Sequence, residues 1–230
     1  MKVIEWNAGN ARKWRVKRDL RRLLKTRPFA VQLVEVHDRR DALAWAAKRF
    51  GYDLIQFAGP ALGHCALLIR ADGMAHNPRT HQLNDRTFVG RDVAGAADNG
   101  FTAEKHIVAV DATGPRGRQV TIAVCHFVPS ASKSDRAAEL LDLQAKRAAA
   151  WLHGQLLPAD LAMDANGKST RPEFAPLRRV ATPYSAPSRK GEPIDIHWLT
   201  QGTAMTTPHP TSSDHDAVEA DIDWHRDAHA

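Results

Sequence analysis

Two apolar runs, "HIVAVDA" (106–112) and "QVTIAVCHFV" (119–128), constrain this chain more than any other feature. Runs this short, rich in Val and Ile and bounded by Gly and Pro, read as strands. The "TGPRGR" between them predicts a hairpin turn. The same kind of run recurs along the chain. "KVIEW" (2–6) is a short strand ended by "NAGN", and "FAVQLVEV" (29–36) is a buried strand. "YDLIQFA" (52–58) and "HCALLIRA" (64–71) pair across "GPALG". "ADLAMDANG" (159–167) runs into a turn, "IDIHWLTQ" (194–201) is a strand, and "AVEADIDW" (217–224) is the last, with alternating apolar positions.

Helical spacing is rarer. Val16, Leu20, Leu23 and Leu24 recur at helical intervals with charged residues between them. "RDALAWAAKRFG" (40–51) predicts a helix closed by Gly51, and 133–156 holds the clearest helix, capped by Ser134 or Asp135. Residues 72–103 read as short strands and long loops, and 168–192 as a proline-rich loop. The result is a β-rich α/β chain with helices interspersed. At 43% hydrophobic content, 230 residues can bury a real core. Neither a repeat nor a splitting linker is visible, so residues 1–230 are expected to form one domain, with 224–230 as a frayed tail.

Charge narrows the partners. The net charge is +6, and residues 12–27 carry nine Lys/Arg against one Asp. A polyanion suits such a chain, although a solvated helix face explains the same residues. Cys65 and Cys125 lie inside apolar runs and are expected as buried thiols, not a disulfide framework. The start "MKVIEWNAGN" lacks a signal peptide's apolar segment, and no window is long enough for a transmembrane helix. The expectation is a soluble, cytoplasmic monomer without membrane contact. Zinc-type Cys/His spacing and a GK[ST] phosphate loop are both absent.

Polar residues gather at the strand ends. Six segments carry them: Asn7; Glu35, with His37 and Asp38; His126; Asp164 and Asn166; Asp195; and Asp214 with His215. Singly, Asn and Asp are turn or cap residues and His126 is a core histidine. Glu35 resists that reading, because a carboxylate ending an apolar strand is costly unless paired or metal-bound. Together the set fits metal-assisted phosphoester chemistry. A hard cation needs carboxylate ligands, a water needs a carboxylate to orient or deprotonate it, and phosphoryl oxygens need Asn or His donors.

In this order the segments resemble the endonuclease/exonuclease/phosphatase superfamily. "VIEWNAGN" is similar to its opening strand, "LVEVHD" to the strand of its metal-binding glutamate, and "CHFVPSAS" to its histidine segment. "MDANGKS" is similar to its Asp-x-Asn motif, "PIDIHWL" to its Ile-Asp strand, and "SSDHDAV" to its closing Ser-Asp-His motif. The matches run from residue 3 to residue 218. The resemblance implies a DNase I-like four-layered sandwich: two mixed β-sheets face to face, flanked by helices, with the site at one edge. It implies that Glu35 binds Mg²⁺ (or Mn²⁺), with Asn7 and Asp214 near the metal or phosphate. Asp164 would activate water, Asn166 and Asn7 would contact the phosphate, and His215, fixed by Asp195, would touch the scissile group. His126 would be a second phosphate-contacting histidine. Ser213 would support Asp214 and His215, and Asp216 is expected in a turn or facing solvent.

The chain departs from the pattern at Val34, Met163 and Pro193, and where the histidine segment's usual carboxylate partner would stand it offers Gly63 and His64. These changes spare the main chemical groups. The leading reading is a metal-dependent nuclease on DNA, with Arg178, Arg179, Arg189 and Lys190 after the Asp-x-Asn motif as substrate-binding cations. The alternatives are a phosphatase or phosphodiesterase on small or lipid phosphoesters, and an inactive nucleic-acid-binding module.

Overall fold

A computed structural model describes residues 1–9, 11–59, 61–91, 99–128, 134–186 and 193–224. The first strand, β1 (Lys2–Asn7), pairs in parallel with β2 (Ala30–Val34). Parallel neighbours need a long return, and helix α1 (Lys13–Lys25) provides it. The second sheet repeats the device. There β9 (Gln119–His126) and β10 (Ala159–Asp164) are parallel, with α3 (Asp135–His153) between them.

The remaining pairs in both six-stranded sheets are antiparallel. The first sheet adds β3 (Tyr52–Ile55), β4 (Cys65–Arg70), β13 (Thr203–His209) and β14 (Ala217–Asp223), in the order β13-β14-β1-β2-β4-β3. The second adds β5 (His76–Asn84), β8 (Lys105–Thr113), β11 (Thr182–Ser185) and β12 (Asp195–Leu199), in the order β11-β12-β10-β9-β8-β5. A two-stranded ribbon, β6 (Thr87–Phe88) with β7 (Phe101–Thr102), stands apart.

Three apolar clusters define four layers. Val16, Leu20 and Leu24 of α1 and Leu43 and Ala46 of α2 (Arg40–Phe50) pack on Ile4, Trp6 and Leu33 of the first sheet. Leu141, Ala145 and Leu152 of α3, and Leu177 of α4 (Ala175–Arg178), pack on Leu161, Met163 and Trp198 of the second. Between the sheets lie Val3, Leu67, Val110, Ile122, Val124 and Leu199. Each fully buried aliphatic side chain contributes roughly 1.5–3 kcal/mol relative to exposure. This is the expected sandwich, and the Cys65 and Cys125 thiols lie buried in it, both free.

The inter-sheet layer also holds polar groups. Gln32 donates to Asp160 at 2.9 Å and to the Ala123 carbonyl at 3.0 Å, crossing from one sheet to the other. His197 lies 3.1 Å from Asp160 and 3.4 Å from the Val218 carbonyl, crossing back. Glu5 is fully buried nearby, and neither carboxylate oxygen has a hydrogen-bond partner.

Several expectations change. The strands at 106–112 and 119–126 and their hairpin stand, and the "NAGN" turn falls partly outside the described residues, at Asn10. Ser134 accepts the Ala137 amide at 3.4 Å, and Gly51 closes α2 with φ +75°. The stretch 72–103 contains the nine-residue β5 as well as the short ribbon, and 168–192 contains α4 and β11. The edge strand β13 has no counterpart in the sequence reading: its residues are polar and half-exposed, and Pro208 interrupts the strand pattern. Trp224 is buried and its carbonyl accepts Arg118, so the tail does not begin there; 225–230 lie outside the described residues.

Candidate active site

The strand ends that carry the polar residues meet at one edge of the sandwich. In the second sheet, Asp164 sits level with His126 on one side and Asp195 on the other. Strand side chains alternate between faces, so three residues on one rung present side chains to one face. The first sheet contributes Asn7, at the end of β1, and Glu35, one residue beyond β2.

Asp164 is the centre of the hydrogen bonding. Asn7 Nδ2 donates to its Oδ2 at 2.8 Å, and the Asn166 amide donates to its Oδ1 at 3.0 Å. Asn166 Nδ2 donates to the Phe127 carbonyl at 3.1 Å, which fixes the turn after β10. Asp164 is 1% exposed. Burial first, then the charge of Asp195, raises its carboxyl to about 6, although His215, Asn7 and the Asn166 amide pull the other way.

His215 Nδ1 lies 2.9 Å from Asp195 Oδ2, and His215 Nε2 lies 3.8 Å from Asp164 Oδ2. Burial disfavours the charged ring. The hydrogen bond and charge of Asp195, followed by Asp164 and Asp214, outweigh it and lift His215 to about 9. Asp195 itself is raised, by burial foremost. A carboxyl raised by burial and an imidazole raised by its carboxylate partner therefore face each other 3.8 Å apart.

A knotted loop presents His215. Thr211 Oγ1 accepts from Trp6 Nε1 at 3.2 Å and donates to the His215 carbonyl at 2.5 Å. Ser213 Oγ donates to Asp214 Oδ1 at 3.0 Å and accepts the His215 amide at 3.3 Å. Ser213 thus supports both neighbours, as expected. Asp19, from α1, accepts both the amide (2.9 Å) and the hydroxyl of Ser212. Asp19 is 1% exposed, and sequence reasoning missed it. Its one signal was a lone acid in a strongly basic helix. Asp216 is 4% exposed, which corrects the expectation of a solvent-facing residue.

Glu35 occupies a left-handed backbone conformation, φ +57°, which is rare for a non-glycine residue and clusters at functional sites. The turn throws its carboxylate over Gly9. A Cβ on Gly9 would lie 1.7 Å from Glu35 Oε2 and 3.1 Å from Asn7 Oδ1. Asn7 Oδ1 is held there by the Gly9 amide at 2.8 Å. Two hard oxygens over a space that only glycine leaves open form a cradle that fits a hard divalent cation. Asp214 belongs to the same field, since its charge acts on both Asp195 and His215.

His126 has an unexpected partner. Where the resemblance implies a carboxylate, His64 places Nε2 2.7 Å from His126 Nδ1. The rings of His37, His64 and His126 stack in a row, with centroids 5.8 and 4.9 Å apart and planes 7° from parallel at both steps. Burial, then the charges of Lys105, His64 and His215, holds His126 well below the ordinary histidine range. Burial likewise pushes His64 down to about 3.

Arg178 Nη1 donates to the carbonyls of Ser169 at 2.5 Å and Arg171 at 2.9 Å, so it clamps the loop after the Asp-x-Asn motif. Arg179 is exposed beside it. Arg189 and Lys190 lie outside the described residues. In the basic helix, Arg15 and Arg18 lie over Trp14 and Lys17 and Arg21 over Trp45, each within 6 Å of the ring centroid. That helix covers the outer face of the first sheet, and several of its cations are engaged with Trp14 and with Trp45 of α2.

Paired six-stranded sheets with helices outside, and a carboxylate–histidine–amide cluster at one edge, make a DNase I-like α/β sandwich. An endonuclease/exonuclease/phosphatase from Bacteroides vulgatus shares it, with a TM-score of 0.74 at 13% identity over 97% of this chain and 98% of that one. So does the mannosyl-6-phosphatase Bt3783 of Bacteroides thetaiotaomicron, with a TM-score of 0.70 at 15% identity, over 97% and 100%. A third is D. rerio TDP2 complexed with single-strand DNA product, with a TM-score of 0.70 at 11% identity, over 97% and 98%. No protein-family model matches the sequence, and no curated protein matches it. Among the described residues, no helix is long and apolar enough to cross a membrane.

Proposed function

We propose that this chain is a divalent-metal-dependent phosphoester hydrolase and, within that class, a nuclease that cuts DNA. The observation that carries the reading is Asp164, fixed by Asn7 and the Asn166 amide, facing the His215–Asp195 pair across 3.8 Å. Each Asp164 oxygen keeps a lone pair free of those bonds. That carboxylate, deprotonated at neutral pH from about 6, takes the proton of a water attacking phosphorus. His215, charged below about 9, donates Nε2–H to a phosphoryl or leaving oxygen as the P–O bond breaks. Asp195 accepts from Nδ1 and keeps the ring aimed. Asn7 and Asn166 orient Asp164 and stand beside the phosphate.

Glu35 and Asn7, with Asp214, would hold the Mg²⁺ or Mn²⁺. The cation supplies neutralisation of the charge on the phosphoryl oxygens. Arg179, Arg189 and Lys190 are the candidate phosphate-backbone contacts, with Arg178 shaping the loop between them and the site.

The preference for DNA rests on the basic helix and on the DNA product held by TDP2, which shares the fold. The sugar-phosphatase neighbour supports a second reading, a phosphatase on small soluble phosphoesters. Supercoiled plasmid, incubated with Mg²⁺ or Mn²⁺ and then with EDTA, separates them. Metal-dependent nicking, lost in Asp164→Ala and His215→Ala, is the expected result. Release of phosphate from soluble monoesters without nicking would establish the second reading. Inertness toward both, with salt-sensitive DNA binding, would overturn hydrolysis altogether.

A further inference from the structure

His126 has one ring nitrogen in use and one that is not. The bond to His64 occupies Nδ1, whichever ring supplies the proton. Nε2 then faces two carboxylates, 3.7 Å from Glu35 Oε1 and 3.7 Å from Asp164 Oδ2. Both separations are too long for hydrogen bonds. Among the described residues Nε2 makes no hydrogen bond, and it is not one of the fully enclosed polar atoms, so it opens toward the site. A core histidine satisfies both nitrogens. In the tautomer where His126 donates through Nδ1, its Nε2 presents a lone pair to the carboxylate oxygens, an arrangement that a cation between them stabilises.

The spacing suits one. Nitrogen and oxygen ligands about 2.0–2.2 Å from one ion stand roughly 3.0–3.5 Å apart at octahedral or tetrahedral angles. The observed 3.7 Å is within a few tenths of an ångström of that. Glu35 is also placed to serve two positions. Its Oε2 lies over Gly9 beside Asn7, and its Oε1 turns to His126. His64 offers a further ring nitrogen within 4.8 Å of the Glu35 and His126 ligand atoms. The parallel stack of His37, His64 and His126 fixes the His126 ring plane.

We propose that Glu35 bridges two cation positions, and that the second, completed by Nε2 of His126 and oriented by His64, takes a transition-metal ion in preference to Mg²⁺. Imidazole nitrogen suits Co²⁺, Zn²⁺ and their neighbours, whereas Mg²⁺ demands oxygen. The oxygen-only position beside Asn7 is the one used in the proposed hydrolysis, and the inference rests on that reading only there. The nitrogen-bearing position stands on the histidine geometry alone.

The test needs no substrate. The tag-free full chain, stripped by chelator, is titrated with Co²⁺ and followed by visible d–d absorption and equilibrium dialysis. Two Co²⁺ per chain are expected, and excess Mg²⁺ displaces one. His126→Ala binds one, and Glu35→Gln weakens both. His64→Ala removes the ring that orients His126 while Glu35 and His126 remain, so the second ion is kept but about ten- to a hundredfold more weakly. Circular dichroism confirms that each variant folds. If His126→Ala does not fold, His64→Ala decides. A single Co²⁺ in the wild type, displacement of both by Mg²⁺, or unchanged binding in the histidine variants overturns the proposal. Two Co²⁺ in a protein that cleaves no phosphoester would remove the hydrolase reading and leave this one intact.

Discussion

Asp164 is restrained at both oxygens and buried, and its carboxyl is raised to about 6, so its chemistry can be separated from its packing. Asp164→Asn keeps the shape and loses the base. The expected loss in kcat is about 10²–10⁴-fold, measured on plasmid or a soluble diester, with near-unchanged thermal unfolding. The pH profile of kcat/KM is expected to be bell-shaped. It rises as Asp164 loses its proton near 6 and falls as His215 loses its proton near 9. Both limbs belong to the coupled set and are macroscopic values. Asp195→Asn removes the hydrogen-bonded charge that lifts His215, so the basic limb should move toward the ordinary value of 6.5. A basic limb that stays near 9 in that variant would take His215 out of its assigned role. Stability follows the same sign. Because the folded ring holds its proton more tightly than the unfolded one, its contribution is complete below about 6.5 and is lost as pH rises through 9.

Elements decide whether those residues meet. The loop carrying Asp214 and His215 hangs from α1 through Asp19 and Ser212, residues 193 positions apart in sequence. Asp19→Ala leaves every proposed catalytic group in place and loosens the loop. Since misplacement by about 1 Å can cost 10²-fold, kcat/KM is expected to fall on the order of tenfold or more, with Asp19→Asn recovering part of it. Gly9→Ala probes the other side. Its Cβ would stand 1.7 Å from Glu35 Oε2, so Mg²⁺-dependent activity should be abolished while β1 and β2 remain paired. Half-saturation by Mg²⁺ equal to the wild type's would show that Glu35 tolerates displacement. These elements also show what was legible. Asn7, Glu35, His126 and Asp164 end or follow an apolar run, Asp195 and His215 open or precede one, and a strand end is a local signal. Asp19 was hidden because its partner is distant and its neighbours are basic. β13 was hidden because an edge strand needs little apolar content, and Asp216 because a short polar stretch does not reveal its burial.

On the scale of the whole molecule, the site exists only if two sheets hold one register. Asn7 and Glu35 come from the first sheet, and His126, Asp164 and Asp195 from the second. The apolar layer between the sheets is interrupted by the Gln32–Asp160–His197 bridge, whose hydrogen bonds reach both sheets and are directional where apolar packing is not. Glu5 sits in that layer without a hydrogen-bond partner. Burial first, then the charges of Asp195, Asp164 and Asp160, raises its carboxyl well above the ordinary 4.5. Between 4.5 and that raised value the folded protein holds a proton there that the unfolded chain releases. This position costs nothing below about 4.5 and destabilises increasingly as pH rises toward the folded value. Glu5→Leu and Glu5→Gln should consequently be more stable than the wild type at pH 8, Leu by about 1–3 kcal/mol, and the advantage should shrink at pH 4. Urea unfolding at both pH values measures it. Wherever the Glu5 carboxyl is protonated, Glu5→Gln is nearly isosteric with it, and kcat should change little. If the wild type is instead the most stable of the three at pH 8, Glu5 is ionised and paired, and the layer between the sheets is electrostatically bound to the active site.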